Sequence, residues 1–137
     1  MISYQIDGVS MPHIKRREIS KWVRRVADTY GKTIGDLAYI FCSDERILDV
    51  NRTYLQHDYY TDIITFDYCE GDTLSGDLFI SLDTVRSNAE KFQVPYEQEL
   101  HRVIIHGLLH LCGLEDKSPE ARTTMEEAEN AALGLYL

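Results

Sequence analysis

Apolar residues recur at regular intervals along the chain, and their spacing predicts most of its secondary structure. Alternating polarity from Ile2 to Ile6 and an almost continuous apolar run from Ile34 to Cys42 predict two strands, the second one buried on both faces. Apolar positions three and four residues apart predict an amphipathic helix between Pro12 and Gly31. The same spacing after Ser43, a favourable N-cap residue, predicts a second helix. The first part of the chain therefore alternates between strand and helix.

The remainder of the chain predicts two more strands and three more helices. Ile63 to Phe66 and Asp77 to Ser81 are rich in strand-forming residues, and turn residues, including Ser75-Gly76, separate them. The three helices are Leu82 to Phe92, an apolar helix that follows Pro95 and includes Leu100 to Leu111, and a last helix with Ser118 as N-cap and Pro119 at its first position. This order predicts an α+β fold, one mixed sheet of about four strands covered by about five helices. Since no repeat or linker interrupts the pattern, we expect a single domain over residues 1–137.

Charge is distributed unevenly along the chain. The formal net charge is −9, which is the wrong sign for a protein that holds nucleic acid by general electrostatics. The first predicted helix nevertheless gathers basic residues: Lys15, Arg16, Arg17, Lys21, Arg24 and Arg25. We interpret this basic face as solvated, with a phosphate-contacting patch as the alternative. The last helix is predicted to expose acidic residues: Glu120, Glu126, Glu127 and Glu129.

Cysteine usage and hydropathy predict where the protein is found. The three cysteines Cys42, Cys69 and Cys112 are an odd number and widely spaced, which argues against a disulfide framework and favours a reducing compartment. The sequence contains no apolar run long enough for a transmembrane helix and no basic-then-apolar leader. We therefore expect a soluble cytoplasmic protein without a membrane partner.

Two histidines mark the most informative stretch, His106-Gly-Leu-Leu-His110-Leu-Cys-Gly113-Leu-Glu115-Asp116. On a helix, residues four apart differ by only about 40° around the axis, so both imidazoles face the same way and can share one ion. Gly113 suits the left-handed residue that ends a helix, after which the chain can bring Glu115 or Asp116 over the histidines. The surrounding residues are apolar, which predicts a buried helix with one polar stripe. The stripe consists of Glu99, Arg102, His106 and His110.

Two imidazoles and one carboxylate are the three protein ligands typical of a catalytic zinc site. The fourth position stays open for a water whose pKa the metal lowers to about 7. The alternative interpretation is a pair of hydrogen-bonded core histidines, but the polar stripe, the glycine and the trailing acids favour the metal. A site completed by Cys112 is disfavoured, because this residue lies well around the helix from the histidines. Gly107 stands where H-E-x-x-H proteases carry their glutamate base, which excludes that one variant of a zinc hydrolase.

Three blocks of the sequence resemble the bacterial YbeY family of metal-dependent endoribonucleases, also called ribosomal RNA maturation factors. The blocks are Asn51-Arg-Thr-Tyr54 with Thr61-Asp-Ile-Ile-Thr-Phe66, then Gly76-Asp-Leu-Phe-Ile-Ser81, then Glu99 through Gly113. They follow the family's order and spacing, and the last block is similar to the family's H-G-x-L-H-L-x-G. The resemblance implies that His106, His110 and Asp116 bind one Zn²⁺ ion.

Two positions depart from the family pattern. Asp116 stands where the family usually has a third histidine, and a carboxylate oxygen is an acceptable zinc ligand at nearly the same distance. Leu55 replaces an arginine that the family usually shows after the tyrosine of the first block and that is regarded as a catalytic contact. Leucine cannot hold a phosphate, so either Arg52, His57 or Arg102 supplies the cation in its place, or the transition state is less stabilised and the nuclease is slow. His57 is also a candidate acid, because histidine titrates near neutrality.

The resemblance implies hydrolysis of a phosphodiester bond in single-stranded RNA, in ribosomal RNA maturation and ribosome quality control. The implied partners are ribosomal RNA, the small ribosomal subunit and ribosomal proteins, while no oligomeric state is predicted. The negative charge favours delivery to the substrate by ribosomal proteins, with the basic first helix as the phosphate contact. One alternative is a non-catalytic assembly factor that the metal merely stabilises. A metalloprotease-like hydrolase is a further alternative, which Gly107 weakens.

Overall fold

The computed structural model describes residues 1–55 and 61–136. These residues form four strands and five helices, as the sequence predicts for an α+β fold. In chain order the elements are β1 (Ile2–Asp7), α1 (Arg16–Thr29), β2 (Thr33–Cys42), α2 (Asp44–Leu55), β3 (Ile63–Asp67), β4 (Thr73–Ser81), α3 (Leu82–Phe92), α4 (Tyr96–Leu111) and α5 (Pro119–Gly134).

The strands form one mixed sheet in the order β1-β2-β4-β3. β1 and β4 both pair with β2 in parallel, and β3 pairs with β4 in antiparallel fashion. The parallel pair β1 and β2 is joined by α1, which is the kind of crossover that parallel neighbours need. The mixed sheet covered by helices confirms the predicted fold class.

The main core lies on the face of the sheet that α4 covers. Leu37, Tyr39 and Phe41 of β2 point to this side, where they are fully buried with apolar residues of α1 and α4. A smaller cluster around Ile47 and Val50 of α2 covers the other face. The prediction that β2 is buried on both faces is therefore wrong in part, because its residues Ala38 and Ile40, of opposite parity, are half-exposed.

Hydroxyl side chains begin three of the helices, as the sequence predicts for two of them. The Ser43 hydroxyl accepts a hydrogen bond from the Arg46 N–H at 3.2 Å, and the Ser118 hydroxyl accepts one from the Ala121 N–H at 3.0 Å. The Ser81 hydroxyl does the same for the first turn of α3, at 3.3 Å from the Thr84 nitrogen. Each hydroxyl satisfies a donor that the helix itself leaves unpaired.

The start of β4 differs from the prediction. Ser75-Gly76 was expected to be a turn, but the strand begins at Thr73 and includes both residues. Gly76 pairs with Asp67 of β3, and a Cβ atom at this position would collide with the carbonyl oxygen of Phe66. The glycine therefore allows two strands to approach closely. Its frequent occurrence in turns explains why the sequence predicted a turn here.

The last helix is tied to the first across the main core. The indole N–H of Trp22 donates to the carbonyl oxygen of Ala132 at 2.7 Å, and the Arg25 guanidinium donates to that of Leu135 at 2.6 Å. Met125 and Ala132 of α5 are buried in the main core. No helix among the described residues combines the length and the hydropathy that crossing a membrane would require.

Candidate metal centre

Helix α4 is packed tightly against the sheet, and this packing directs its polar stripe. Gly107 faces β3 and β4: a Cβ atom there would collide with Leu78 and would lie 2.7 Å from Cδ1 of Ile63. His106 and His110, by contrast, are half-buried and line a cleft. The position that carries the glutamate base in H-E-x-x-H proteases thus points into the sheet packing in this chain.

Three side chains converge where α4 ends. The Nε2 atoms of His106 and His110 lie 3.3 and 3.5 Å from the same Oδ2 atom of Asp116. One ligand atom from each residue lies within 4.8 Å of the other two, so the group could hold a metal ion. Gly113, with φ of +103°, lets the chain turn back after the helix. Of the two acids predicted as alternatives the turn brings Asp116 to the histidines, whereas Glu115 is exposed.

The other ring nitrogen of each histidine is held by a hydrogen bond. Nδ1 of His110 lies 2.9 Å from the carbonyl oxygen of Leu114, which can only accept, so Nδ1 donates and the Nε2 lone pair is left for a ligand. Nδ1 of His106 lies 2.6 Å from the Oε2 atom of Glu129. Metal-binding histidines commonly have such acceptors, which fix the tautomer and the ring orientation. The donor set and its supports therefore fit a divalent ion such as zinc.

Glu129 is a site residue that the sequence analysis placed wrongly. It was expected on the exposed side of the last helix, but only 6% of it is exposed, because it lies on the α5 face that packs against α4. Arg102 donates to its Oε1 atom and to Oδ1 of Asn130, both at 2.8 Å. The signal that could have placed it is the spacing of Met125, Glu129 and Ala132, which puts the glutamate on the apolar stripe of α5.

These contacts shift the protonation equilibria of the pair. Burial lowers the pKa of His106, but the hydrogen bond and the charge of Glu129, with Asp62 and Asp116, outweigh it, so the pKa is raised above its usual value. Burial raises the pKa of Glu129, yet its bonds to His106 and Arg102 prevail and hold the pKa below its usual value. Both shifts favour a charged pair in the metal-free protein. A bound cation would compete with the proton for His106.

Two cavities of about 540 Å³ each meet at the metal centre, and both are lined by His106, Asp116 and Asp62. One extends towards α2 and β3, where Asn51, Leu55 and Thr61 line it. The other lies among α3, α4 and α5. Burial raises the pKa of Asp62 above its usual value, and the charge of His106 offsets this in part. Asp62 could not be predicted as a site residue, because no periodic pattern in the sequence links it to the histidines.

The three predicted catalytic residues differ in whether they line a cavity of the metal centre. Arg102 lines the cavity among the helices, and its guanidinium is bonded to Glu129 and Asn130. Arg52 is exposed in the last turn of α2 and lines neither cavity, although Leu55, one turn later, lines the second one. His57 lies outside the described residues. The catalytic roles of these three residues stay predictions.

The sequence model of the endoribonuclease YbeY family matches residues 5–136. The chain belongs to the YbeY family. This confirms the resemblance that the three sequence blocks indicate. Proteins named endoribonuclease YbeY from Phocaeicola vulgatus and Bacteroides thetaiotaomicron are 70% and 68% identical to it, and each alignment covers 98% of both chains.

The YbeY fold is also recognisable in a solved structure. The solution structure of TM1509 from Thermotoga maritima is similar with a TM-score of 0.66 at 25% identity, over 98% of this chain and 90% of that one. Within the YbeY family, Asp116 in place of the usual third histidine keeps the convergence of three ligands in this chain. Leu55, in place of the usual arginine, gives the cavity near α2 an apolar wall instead of a cation.

Proposed function

We propose that this chain is a zinc-dependent endoribonuclease that cleaves single-stranded RNA in the cytoplasm during ribosomal RNA maturation and ribosome quality control. The observation that carries the proposal is the convergence of His106, His110 and Asp116 at the junction of two open cavities. Membership of the YbeY family supports the endoribonuclease activity. The donor set supports zinc, which binds two imidazoles and a carboxylate in many hydrolases and leaves the fourth position free.

When bound, zinc would polarise a phosphoryl oxygen and activate a water molecule. The protein's own residues prepare the site for that chemistry. His106 and His110 present Nε2 because Glu129 and the Leu114 carbonyl hold Nδ1. Asp62 lines both cavities, and its raised pKa suits a carboxylate that takes up a proton from the attacking water.

Three side chains are candidates for the cation that offsets charge on the phosphate. Arg102 already neutralises Glu129, so its charge is shared with a carboxylate. Arg52 and His57 are the other two candidates from the sequence. Because Leu55 supplies no charge, we expect slower cleavage than in family members with an arginine at this position.

The proposed partners are ribosomal RNA, the small ribosomal subunit and ribosomal proteins. The net charge of −9 disfavours unaided capture of naked RNA and favours delivery by other proteins. The cysteines Cys42, Cys69 and Cys112 are all free thiols, which supports a reducing compartment. The second candidate function is a non-catalytic assembly factor, which the apolar Leu55 in the cavity wall favours.

An assay of purified protein on single-stranded RNA separates the two functions. With zinc we expect cleavage, which should be lost with a chelator and in His110→Ala. His13→Ala, which removes an exposed histidine from the loop before α1, is the matched control and should cleave normally. Zinc bound at one ion per chain without any cleavage would favour the assembly factor. Cleavage that persists in His110→Ala would point to a contaminating nuclease and remove the support for the metal mechanism.

A further inference from the structure

The cavity among α3, α4 and α5 is larger than the metal centre needs. It has a volume of about 540 Å³, within the range of ligand pockets, and reaches from His106 to the end of α3. Its walls combine apolar groups with side-chain amides, and the residues that matter most below are Phe92, Glu99 and Asn88. Because it opens directly beside the candidate metal ligands, a group bound here would belong to the substrate.

Glu99 is a buried residue in the wall of this cavity. Only 5% of the residue is exposed, and it stands two helical turns before His106 on the polar stripe of α4. Within residues 1–55 and 61–136 its carboxyl group makes no hydrogen bond and no ion pair, since the nearby Arg102 is bonded to Glu129 and Asn130. The residue lines the cavity, so its carboxylate is available to a ligand that brings N–H donors.

Phe92 offers a flat apolar surface at the same cavity. It is the last residue of α3, is 56% exposed and belongs to neither core cluster. The ammonium group of Lys91 lies 5.8 Å from its ring centroid. Exposed aromatic rings beside a basic group are the platforms on which proteins stack the bases of single-stranded nucleic acids.

The charges of the cavity select a base over a phosphate. Besides Glu99 and Glu129, three more carboxylates line it, those of Asp62, Asp116 and Glu126. They outnumber the cations, because among the described residues only Arg122 and Arg102 line it as well, and Arg102 is already paired with Glu129. A phosphate group would meet like charge there, whereas a nucleobase is neutral. Guanine presents two parallel N–H donors, N1–H and the 2-amino group, which match the two oxygens of one carboxylate. Uracil has no such pair of donors.

We infer that this cavity is a nucleobase subsite of the substrate strand, in which Phe92 stacks on a guanine and the Glu99 carboxylate accepts its two N–H donors. The inference rests on the proposed ribonuclease function, and it adds a base preference on one side of the cleaved bond. Asn88 adds a side-chain amide to the same wall.

Binding of short RNAs to the metal-free protein tests the subsite without cleavage. The probes are fluorescein-labelled uridine hexamers in which one internal position at a time carries guanosine, adenosine or cytidine, and the readout is fluorescence anisotropy in excess chelator. Guanosine at one position should lower the Kd about tenfold relative to uridine, as expected of a bidentate contact to a base. In Glu99→Gln this advantage should shrink to about twofold or less.

Two matched controls separate the contacts from general effects of charge and surface. Glu97→Gln removes the same charge from an exposed position of the same helix and should keep the guanosine preference. Phe92→Ala should weaken every hexamer about tenfold, because stacking does not depend on the base. Tyr68→Ala removes an equally exposed ring that lines neither cavity and should leave binding unchanged. Thermal unfolding and zinc content establish that each variant is folded.

The outcomes distinguish this inference from the proposed function. A preference for another base, equal binding of all hexamers, or a guanosine preference that survives Glu99→Gln overturns the subsite. Two zinc ions per wild-type chain and one in Glu99→Gln would also overturn it, since the carboxyl group would then hold a second cation. If the zinc-loaded protein cleaves the hexamers without base preference, the ribonuclease function is supported and the base subsite is overturned. A Glu99-dependent guanosine preference without any cleavage would keep the subsite and remove the ribonuclease.

Discussion

Each of the two candidate histidine ligands is held by a different kind of acceptor, and this difference can be tested at the level of single residues. His110 is oriented by the backbone carbonyl of Leu114, which no side-chain substitution removes. His106 is oriented by the carboxylate of Glu129, which comes from a helix at the end of the chain. A substitution at position 129 therefore perturbs one ligand and leaves the other two in place.

We expect Glu129→Gln to weaken zinc binding about ten- to hundredfold, the range typical of lost acceptors behind metal-bound histidines. The amide that replaces the carboxylate carries no charge to stabilise the bound imidazole, and it leaves Arg102 without its anionic partner. Competition with a chromogenic chelator measures the affinity. Glu127→Gln, an exposed position of the same helix, is the control and should bind zinc as the wild type does. Equal affinities for all three proteins would mean that Glu129 does not support the ligand.

His101 makes the folded state sensitive to acid independently of the metal centre. Only 7% of it is exposed, its ring lies 4.5 Å from that of Tyr136, and its Nε2 atom has no partner among the described residues. Burial lowers the pKa of His101 below its usual value, and the charge of Glu97 offsets this in part. The unfolded chain therefore binds a proton at a higher pH than the folded one. Stability is retained above the unfolded pKa of about 6.5 and decreases as the pH falls towards the folded pKa.

Replacement of His101 by Phe should remove this loss, because phenylalanine keeps the aromatic packing and has no proton to gain. Urea unfolding in excess chelator, at about pH 7.5 and about pH 5.5, measures the free energy of unfolding. The wild type should lose more stability between the two conditions than His101→Phe does, since all other titrating groups are common to both. Parallel decreases in the two proteins would show that His101 is protonated in the folded state as readily as in the unfolded one.

At the scale of elements, the position of the ligands depends on how closely α4 approaches the sheet. Gly107→Ala should destabilise the fold by about 1–3 kcal/mol, the usual cost of an overpacked core. The added methyl group would lie 2.7 Å from Cδ1 of Ile63 and would also collide with Leu78. Gly134→Ala, at the end of α5 with nothing within 4 Å of the new Cβ, is the matched control. It should be neutral or stabilising by up to about 1 kcal/mol. Equal stability of both variants would contradict the close packing of α4.

Elements with local signals could be predicted from the sequence, and those without them could not. The bounds of α3 were predicted correctly from its apolar spacing, and the start of α5 from the cap residue Ser118 and the proline that follows it, because these signals are local in the sequence. The start of β4 was not predicted correctly. Gly76 is needed there because the carbonyl of Phe66 on the neighbouring strand leaves no room for a side chain. A sequence shows a glycine but does not show which backbone approaches it.

The same distinction separates the parts of the candidate site. His106, His110 and Asp116 are linked by one helix and the turn that follows it, so their approach could be predicted from spacing alone. Glu129 and Asp62 reach the site from α5 and from the start of β3, through the packing of elements far apart in the chain. Tertiary contacts of this kind leave only weak periodic signals, such as the apolar stripe that contains Glu129.

At the scale of the whole molecule, the basic surface and the metal centre belong to different parts of the fold. All six basic residues from Lys15 to Arg25 are exposed on or just before α1, while carboxylates line the cavities of the metal centre. Although the net charge is −9, these six of the 14 basic side chains are gathered within eleven consecutive residues. Arg25 also has a structural role, since it donates to the carbonyl of Leu135. A test of the surface should therefore leave Arg25 unchanged.

Reversal of two exposed charges, Lys21→Glu with Arg24→Glu, should weaken binding to small ribosomal subunits. Each lost phosphate contact should also reduce the slope of log affinity against log salt by about one. Sedimentation of the protein with purified subunits at several salt concentrations measures both quantities. The charge-conserving variant Lys21→Arg with Arg24→Lys should behave as the wild type, and zinc content should be the same in all three proteins. Neither side chain lines a cavity of the metal centre, so cleavage of a short RNA should be unaffected. Unchanged binding and salt dependence in the reversed variant would assign the basic face of α1 to solvent alone.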